Sequence, residues 1–320
     1  MISSNDKQSG ETMRCPIIID CDPGHDDALA LLLAGASDEL DLLGVTVVAG
    51  NQTIDKTLYN ALRVLTLAGL CPPVAAGADT SLSGPITPSD LMGETGLDGA
   101  VLPEPAFEPE SMTAVELLAK LVSEAEEPVT LVPIGPLTNI AVFLTGWPAL
   151  RSKIKQIVLM GGGTFGNITP AAEFNILTDP VAGDVVFRSG IPIVMLGLDV
   201  TYKALIFDRE VEQIRGLGSS VGIAVAEMME FYTRQSVRCG YTTEGAHLYD
   251  PCTIAWLLDP TLFSGRKAHV TVETSGVQSH GMTVVDFDGK HSEGRCNAEI
   301  IMDVDRERFI KLLMERLARY

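Results

Sequence analysis

The chain of 320 residues is 46% hydrophobic and 20% charged, with a formal net charge of −19, the balance of a globular protein with enough chain to bury a large core. That charge argues against nucleic acid and anionic membrane surfaces as partners, since both carry the same sign, and favours a small neutral or cationic ligand. The six cysteines are scattered without a C-x-x-C pair, which reads as reduced thiols in a cytoplasm, and no apolar run nears the length of a membrane span.

Residues 1–13 are polar and lack the apolar stretch of an export signal. They read as a flexible extension, with Met13 a candidate start and residues 14–320 a single α/β domain. Ile17 to Asp20 is a β-branched run ending in acid, Pro23-Gly24 turns the chain, and Asp26-Asp27 opens an apolar helical run through Leu33. The order is strand, tight loop, helix.

Leu42 to Val48 reads as a second strand, Thr53 as the cap of a helix to about Leu70, and Val74 to Ala76 as a short third strand. From Gly77 to Ser111 the pattern lapses into Gly, Pro and isolated acids, a long loop that reads as a lid. A helix over Thr113 to Glu124, a strand over Val129 to Pro133 and a helix opened by Gly135 to Asn139 follow. The strand Ile157 to Met160 leads into Gly161-Gly162-Gly163-Thr164-Phe165-Gly166, which matches G-x-G-x-x-G by letter. Asn167 to Pro170 follow where a dinucleotide fold needs a helix, and the next helix is expected near Asp179-Pro180, so a nicotinamide site is rejected.

Ile191 to Leu198 reads as a strand closing at Asp199, Asp208 to Gln235 as helical, and Arg238 to Tyr249 as irregular. Asp250 is expected to cap a helix reaching Leu258, before strands at Val270 to Glu273, Met282 to Phe287 and Ile300 to Val304 and a closing helix over Arg306 to Tyr320. Strands alternating with helices predict an open, mostly parallel sheet flanked by helices, with lid loops over the carboxyl ends of the strands.

Ligands of such a sheet bind outside those carboxyl ends. The polar residues there are Asp20, Asp22, Asp26, Asp27, Asn51, the carbonyls near Ile134, Asn167, Glu173, Asn175 and Asp250. Carboxylates so close, with no Lys or Arg in the segment, repel one another unless a cation sits among them, and oxygen ligands without Cys or His favour Ca²⁺ or Mg²⁺. The simpler reading is one helix-capping acid beside a strand-end charge, but capping needs one acid rather than four. With almost no cations at these positions, carboxylates and amides suit hydroxyl groups, hence an uncharged, sugar-like substrate.

Six motifs resemble the inosine-uridine nucleoside hydrolase family, in family order: D-C-D-P-G-H-D-D at Asp20 to Asp27, A-G-N-Q-T at Ala49 to Thr53, G-P-L-T-N at Gly135 to Asn139, M-G-G-G at Met160 to Gly163, T-P-A-A-E-F-N at Thr169 to Asn175 and D-P-C-T-I-A-W at Asp250 to Trp256. The pattern is most similar to the bacterial pyrimidine-preferring ribonucleoside hydrolases. The resemblance implies cleavage of a ribonucleoside to free base and ribose with bound Ca²⁺, in a homo-oligomer, dimer or tetramer. It gives the metal to Asp22, Asp27, Asp250 and the Ile134 carbonyl, and gives Asp22 the proton of the attacking water. It gives Asp26, Asn51 and Asn175 to the ribose 2′ and 3′ hydroxyls, Asn167 and Glu173 to the 5′ hydroxyl and Met160 to the floor, with Asp20 in support.

Three positions depart from the family pattern: Tyr249 and Met92 where His is common, and Ile134 where Thr is usual. A phenol with a pKa near 10 is a poorer acid than imidazole at pH 7. His247 could substitute for the missing acid, although with nothing to fix its direction it reads as an exposed loop histidine. His25 reads as a loop-shaping residue. The rival readings are a nucleoside-binding protein without turnover, a purine or broad-preference member of the same family, and a haloacid dehalogenase-type phosphatase. Gly24 stands where that phosphatase chemistry needs Thr or Val.

Overall fold

The computed structural model describes residues 14–320, so the extension expected over residues 1–13 lies outside the described residues. The first half runs β1 (Cys15–Cys21), α1 (His25–Gly35), β2 (Leu40–Val47), α2 (Ile54–Leu67), β3 (Val74–Ala76), the short pair β4 (Thr80–Ser81) and β5 (Gly84–Pro85), α3 (Ala114–Glu124), β6 (Val129–Pro133), α4 (Thr138–Gly146) and β7 (Ile154–Met160). Then come α5 (Phe174–Thr178), α6 (Pro180–Phe187), β8 (Ile193–Leu196), α7 (Leu198–Thr201), β9 (Leu205–Ile206), α8 (Asp208–Arg215) and α9 (Ser220–Arg238). The chain closes with β10 (Ala246–His247), α10 (Pro251–Leu258), β11 (Phe263–Val272), β12 (Thr283–Asp286), β13 (Ala298–Val304) and α11 (Arg306–Leu317).

Nine strands form one sheet in the order β12-β11-β13-β8-β7-β6-β1-β2-β3. It is parallel from β3 to β13, and β11 and β12 add an antiparallel edge. Alternation along β1 sends Ile17 and Ile19 into one core with the leucines of α1 and α2, and Ile18 into the other with Leu118 of α3 and Ile140 of α4. Burial on both faces is why these strands read as continuous apolar runs. Helix α1 is apolar all round because it is buried, packed against α2, α9, α10 and α11.

Several expectations shift for local reasons. The strand expected over Ile191 to Leu198 is shorter, Ile193–Leu196, and Leu198 opens a helical turn instead, since the chain turns at Gly197 and the Leu198 amide donates to the Gly162 carbonyl. Helix α5 precedes the helix expected at Pro180, because the Glu173 side chain accepts from Asn175 N and Ile176 N and caps it. Thr53 and Asp250 do stand at N-cap positions, but neither side chain makes the capping bond. Thr113 does cap, reciprocally with Glu116.

Candidate active site

The strand order reverses between β1 and β6, and a sheet leaves a crevice at the carboxyl ends where it does so. Asp20, still on β1, is fully buried and accepts from Thr46 Oγ1 at 2.6 Å and Asn139 Nδ2 at 2.8 Å. It ties β1 to β2 and α4. Burial pushes its carboxyl up to about 7 against those two bonds.

Asp22 lies just beyond the strand and accepts from the Asn51 amide at 2.6 Å. Its carboxylate is sandwiched between two backbones: a Cβ on Gly50 would lie 2.1 Å from Oδ2, and one on Gly135 would lie 2.4 Å from Oδ1. Only glycine leaves room. Asp27 gathers the loop, accepting from the amides of Asp22 at 3.1 Å and Gly24 at 3.0 Å and from Asn51 Nδ2 at 3.2 Å. Asp27 therefore does the capping work at α1, and the three other acids are surplus to it.

Asp26, Asp27 and Asp250 each present an oxygen within 4.8 Å of the others, all buried. Burial raises all three carboxyls, Asp26 to about 8 and Asp27 to about 6, and the neighbouring carboxylates push Asp26 and Asp250 up further. Asp22 is raised by burial and by Asp27 in the same way. Asp26 Oδ1 is buried without a hydrogen-bond partner. An orphaned oxygen in a dense set of hard oxygen donors fits a divalent cation of the Ca²⁺ or Mg²⁺ kind. Of the four ligands the resemblance implied, Asp27 and Asp250 stand in the triad. Asp22 is held beside it by Asn51, and the Ile134 carbonyl accepts from Asn175 Nδ2 at 2.9 Å. The triad also contains Asp26, which the sequence reading gave to the sugar.

A cavity with about 500 Å³ of empty space, open solvent at its mouth included, lies over this cluster. Asp26, Asn51, Asp250 and Asn175 line it, with Ile134 and Met160. Glu173 and Asn167 also face it, and both are held by the fold itself. Glu173 accepts from the amides of Gly162, Asn175 and Ile176, and Asn167 Oδ1 accepts from the Phe174 amide. Burial raises the Glu173 carboxyl in spite of those amides. The lid loop covers the opening with Ser89, Leu91 and Met92.

Tyr249, next to Asp250 in the chain, also lines the cavity, with Tyr232 from α9 and Tyr241. Burial pushes the Tyr249 phenol well up, with Tyr202 and Asp26 adding to it, so it stays protonated. His247 departs from the expected exposed loop. It is buried on β10 because that strand pairs with β9, and its ring stacks on Tyr202 at 4.4 Å, 5.6 Å from the Tyr249 ring. It does not line the cavity. Burial lowers its pKa, which leaves it neutral near pH 7.

Sequence reasoning missed Tyr232, Tyr241, Leu91 and Phe174. None follows a parallel strand directly, and only the heptad-like spacing of apolar residues in α9 marks Tyr232 as inward-facing.

Fold and site together define the class: an α/β protein with a carboxylate-rich ligand cavity at the carboxyl edge of a parallel sheet. The sequence model of the family described as "Inosine-uridine preferring nucleoside hydrolase" matches residues 17–311. The pyrimidine-specific ribonucleoside hydrolase RihA of Photobacterium profundum is 55% identical over 311 residues, covering 96% of this chain and 100% of its own. That of Escherichia coli O127:H6 is 51% identical with the same coverage. Among solved structures, a purine-preferring ribonucleoside hydrolase from Gardnerella vaginalis superposes with a TM-score of 0.89 at 32% identity, over 95% of this chain and 98% of that one. The chain belongs to the inosine-uridine preferring nucleoside hydrolase family.

Proposed function

We propose that the protein hydrolyses the N-glycosidic bond of pyrimidine ribonucleosides such as uridine and cytidine, releasing free base and ribose. The observation that carries this reading is the buried carboxylate cluster of Asp26, Asp27 and Asp250, with Asp22 beside it, of which Asp26 and Asp250 reach the wall of a cavity also lined by Asn51, Asn167, Glu173, Asn175 and three tyrosines. Breaking a glycosidic bond builds positive charge on the ribose ring, so buried carboxylates favour the transition state over the neutral substrate.

Asp22, Asp27, Asp250 and the Ile134 carbonyl would hold Ca²⁺, which when bound orients and acidifies the attacking water. Asp22 accepts the proton of that water, its carboxylate fixed by Asn51 N–H and the two flanking glycines. Asp26, Asn51 and Asn175 hold the 2′ and 3′ hydroxyls, Asn167 and Glu173 the 5′ hydroxyl, and Met160 packs under the sugar. Tyr249 donates a hydrogen bond to the departing base, with His247 behind it. Pyrimidine preference is supported by the two relatives' names and by the phenol at residue 249, a weaker acid than imidazole.

Residues 14–320 act as one domain in this reading, in a cytoplasmic homo-oligomer. Among the described residues no helix is long and apolar enough to cross a membrane. A reducing-sugar assay on uridine, cytidine, inosine and adenosine, with and without a chelator, tests the proposal. Uridine and cytidine should be cleaved fastest, and chelation should abolish turnover until Ca²⁺ is restored. Tight uridine binding with no sugar released would mean a binding protein instead.

A further inference from the structure

We propose that the protein also accepts ribonucleosides whose 5′ hydroxyl is replaced by an uncharged, apolar group, which a second cleft beside the cavity would house. The inference rests on the placement of the 5′ carbon at Asn167 and Glu173 given above.

The cleft is open to solvent and offers a volume of about 530 Å³. Pro85, Ile86, Thr87 and Pro88 of the lid line it, with Leu177 and Thr178 at the end of α5 and Cys239 just after α9. It shares Ser89, Leu91, Ile168, Phe174 and Tyr241 with the substrate cavity. Ile168 and Phe174 directly follow Asn167 and Glu173, and the Phe174 amide donates to Asn167 Oδ1 at 3.1 Å. The shared edge is therefore the 5′ end of the site.

The lining decides the chemistry of the occupant. Among the described residues no Lys, Arg or His lines the cleft, so no cation there offsets the desolvation of a phosphate. Proline rings, Phe174, Tyr241 and aliphatic side chains suit an alkyl or aryl group. A site built to hydrogen-bond a hydroxyl usually rejects the analogue lacking it, because its own polar groups are left unpaired. Here both Glu173 oxygens already accept backbone amides, as does Asn167 Oδ1. Loss of the 5′ hydroxyl leaves these three oxygens paired.

The test compares kcat/KM for uridine, 5′-deoxy-5′-(benzylthio)uridine and uridine 5′-monophosphate in the wild type and in Cys239→Trp and Thr87→Trp, two exposed positions outside the cavity lining. The benzylthio compound should fall within about tenfold of uridine, the nucleotide should be refused, and each tryptophan should cost the benzylthio compound about tenfold while uridine is unchanged. Discrimination of about a thousandfold against the benzylthio compound, or no effect of either tryptophan on it, overturns the inference and leaves uridine hydrolysis standing. Calorimetric binding of the same compounds gives the answer even if uridine is not turned over. There, displacement of the benzylthio compound but not uridine by the tryptophans supports the cleft, and equal binding in all three proteins refutes it.

Discussion

His25 Nε2 lies 2.7 Å from the carbonyl oxygen of Asp98, joining the first turn of α1 to the lid. Donation to a carbonyl fixes the proton on Nε2, and burial lowers the ring's pKa to about 4, so the imidazole is neutral. The ring is also clamped between Phe231 and Tyr232 of α9, each 5.4 Å away, and its Nδ1 faces Met92 Sδ at 3.4 Å. One side chain thus sets the spacing of the lid, α9 and the acidic loop.

Replacing it separates binding from chemistry. His25→Leu keeps an apolar body but loses the donor, so KM should rise several-fold with a smaller fall in kcat, and amide exchange should quicken over residues 93–99. His25→Gln, which can donate to the same carbonyl, should restore part of the loss. Equal behaviour of the two variants would show that the hydrogen bond positions nothing.

Gly50 and Gly135 make a sharper prediction, because neither touches substrate in the proposed mechanism. A methyl on either would meet an Asp22 oxygen at 2.1 or 2.4 Å, so the carboxylate must move. A displacement of about 1 Å at a catalytic group costs on the order of a hundredfold in rate. Gly135→Ala should therefore lose about that factor in kcat while circular dichroism shows an intact fold. Wild-type turnover in both alanine variants would remove Asp22 from the proton transfer.

These glycines also mark what the sequence could and could not convey. The parallel sheet and the acidic loop were legible because strand-end polarity and strand-helix alternation are local patterns. Asp20 and Asp22 stood in one list of strand-end acids, yet β1 ends at Cys21, so Asp20 accepts from Thr46 and Asn139 while Asp22 accepts from Asn51. Tyr249 was legible beside Asp250, but Tyr232 was not, since it reaches the cavity from a helix far along the chain from the first acids. His247 read as exposed because the two-residue pairing of β10 with β9 has no sequence signal of its own.

Acid stability should follow one ion pair at the chain's end. Arg316 of α11 donates to both oxygens of Glu39, at 2.9 and 2.6 Å, and holds the Glu39 carboxyl below its ordinary range. A carboxylate whose folded pKa is depressed stabilises the fold above its unfolded pKa and loses that contribution as pH falls through the folded value. Glu39→Gln should lower Tm modestly at pH 7, since Glu39 is half exposed, and the gap should close as the solution is acidified below the carboxylate range. A Tm gap undiminished at about pH 3, below the ordinary carboxylate range, would assign the effect to packing.

Tyr249 is where base preference should be adjustable. Its phenol is buried beside Tyr202, with ring centroids 6.1 Å apart, and its pKa is pushed well up, so it can donate a hydrogen bond but gives up its proton poorly near pH 7. A departing purine gains more from a true acid, which imidazole supplies and phenol does not. Tyr249→His should therefore raise kcat/KM for inosine relative to uridine by about tenfold or more, with the gain lost as the imidazole deprotonates at higher pH. Tyr249→Phe should lower turnover of uridine by a smaller factor, that of one hydrogen bond. His247→Ala decides whether the ring behind takes part: a fall matching Tyr249→Phe would place the two in one unit, and comparable turnover would leave His247 as packing for Tyr202. An inosine-to-uridine ratio unchanged in Tyr249→His would show that leaving-group protonation does not pass through residue 249.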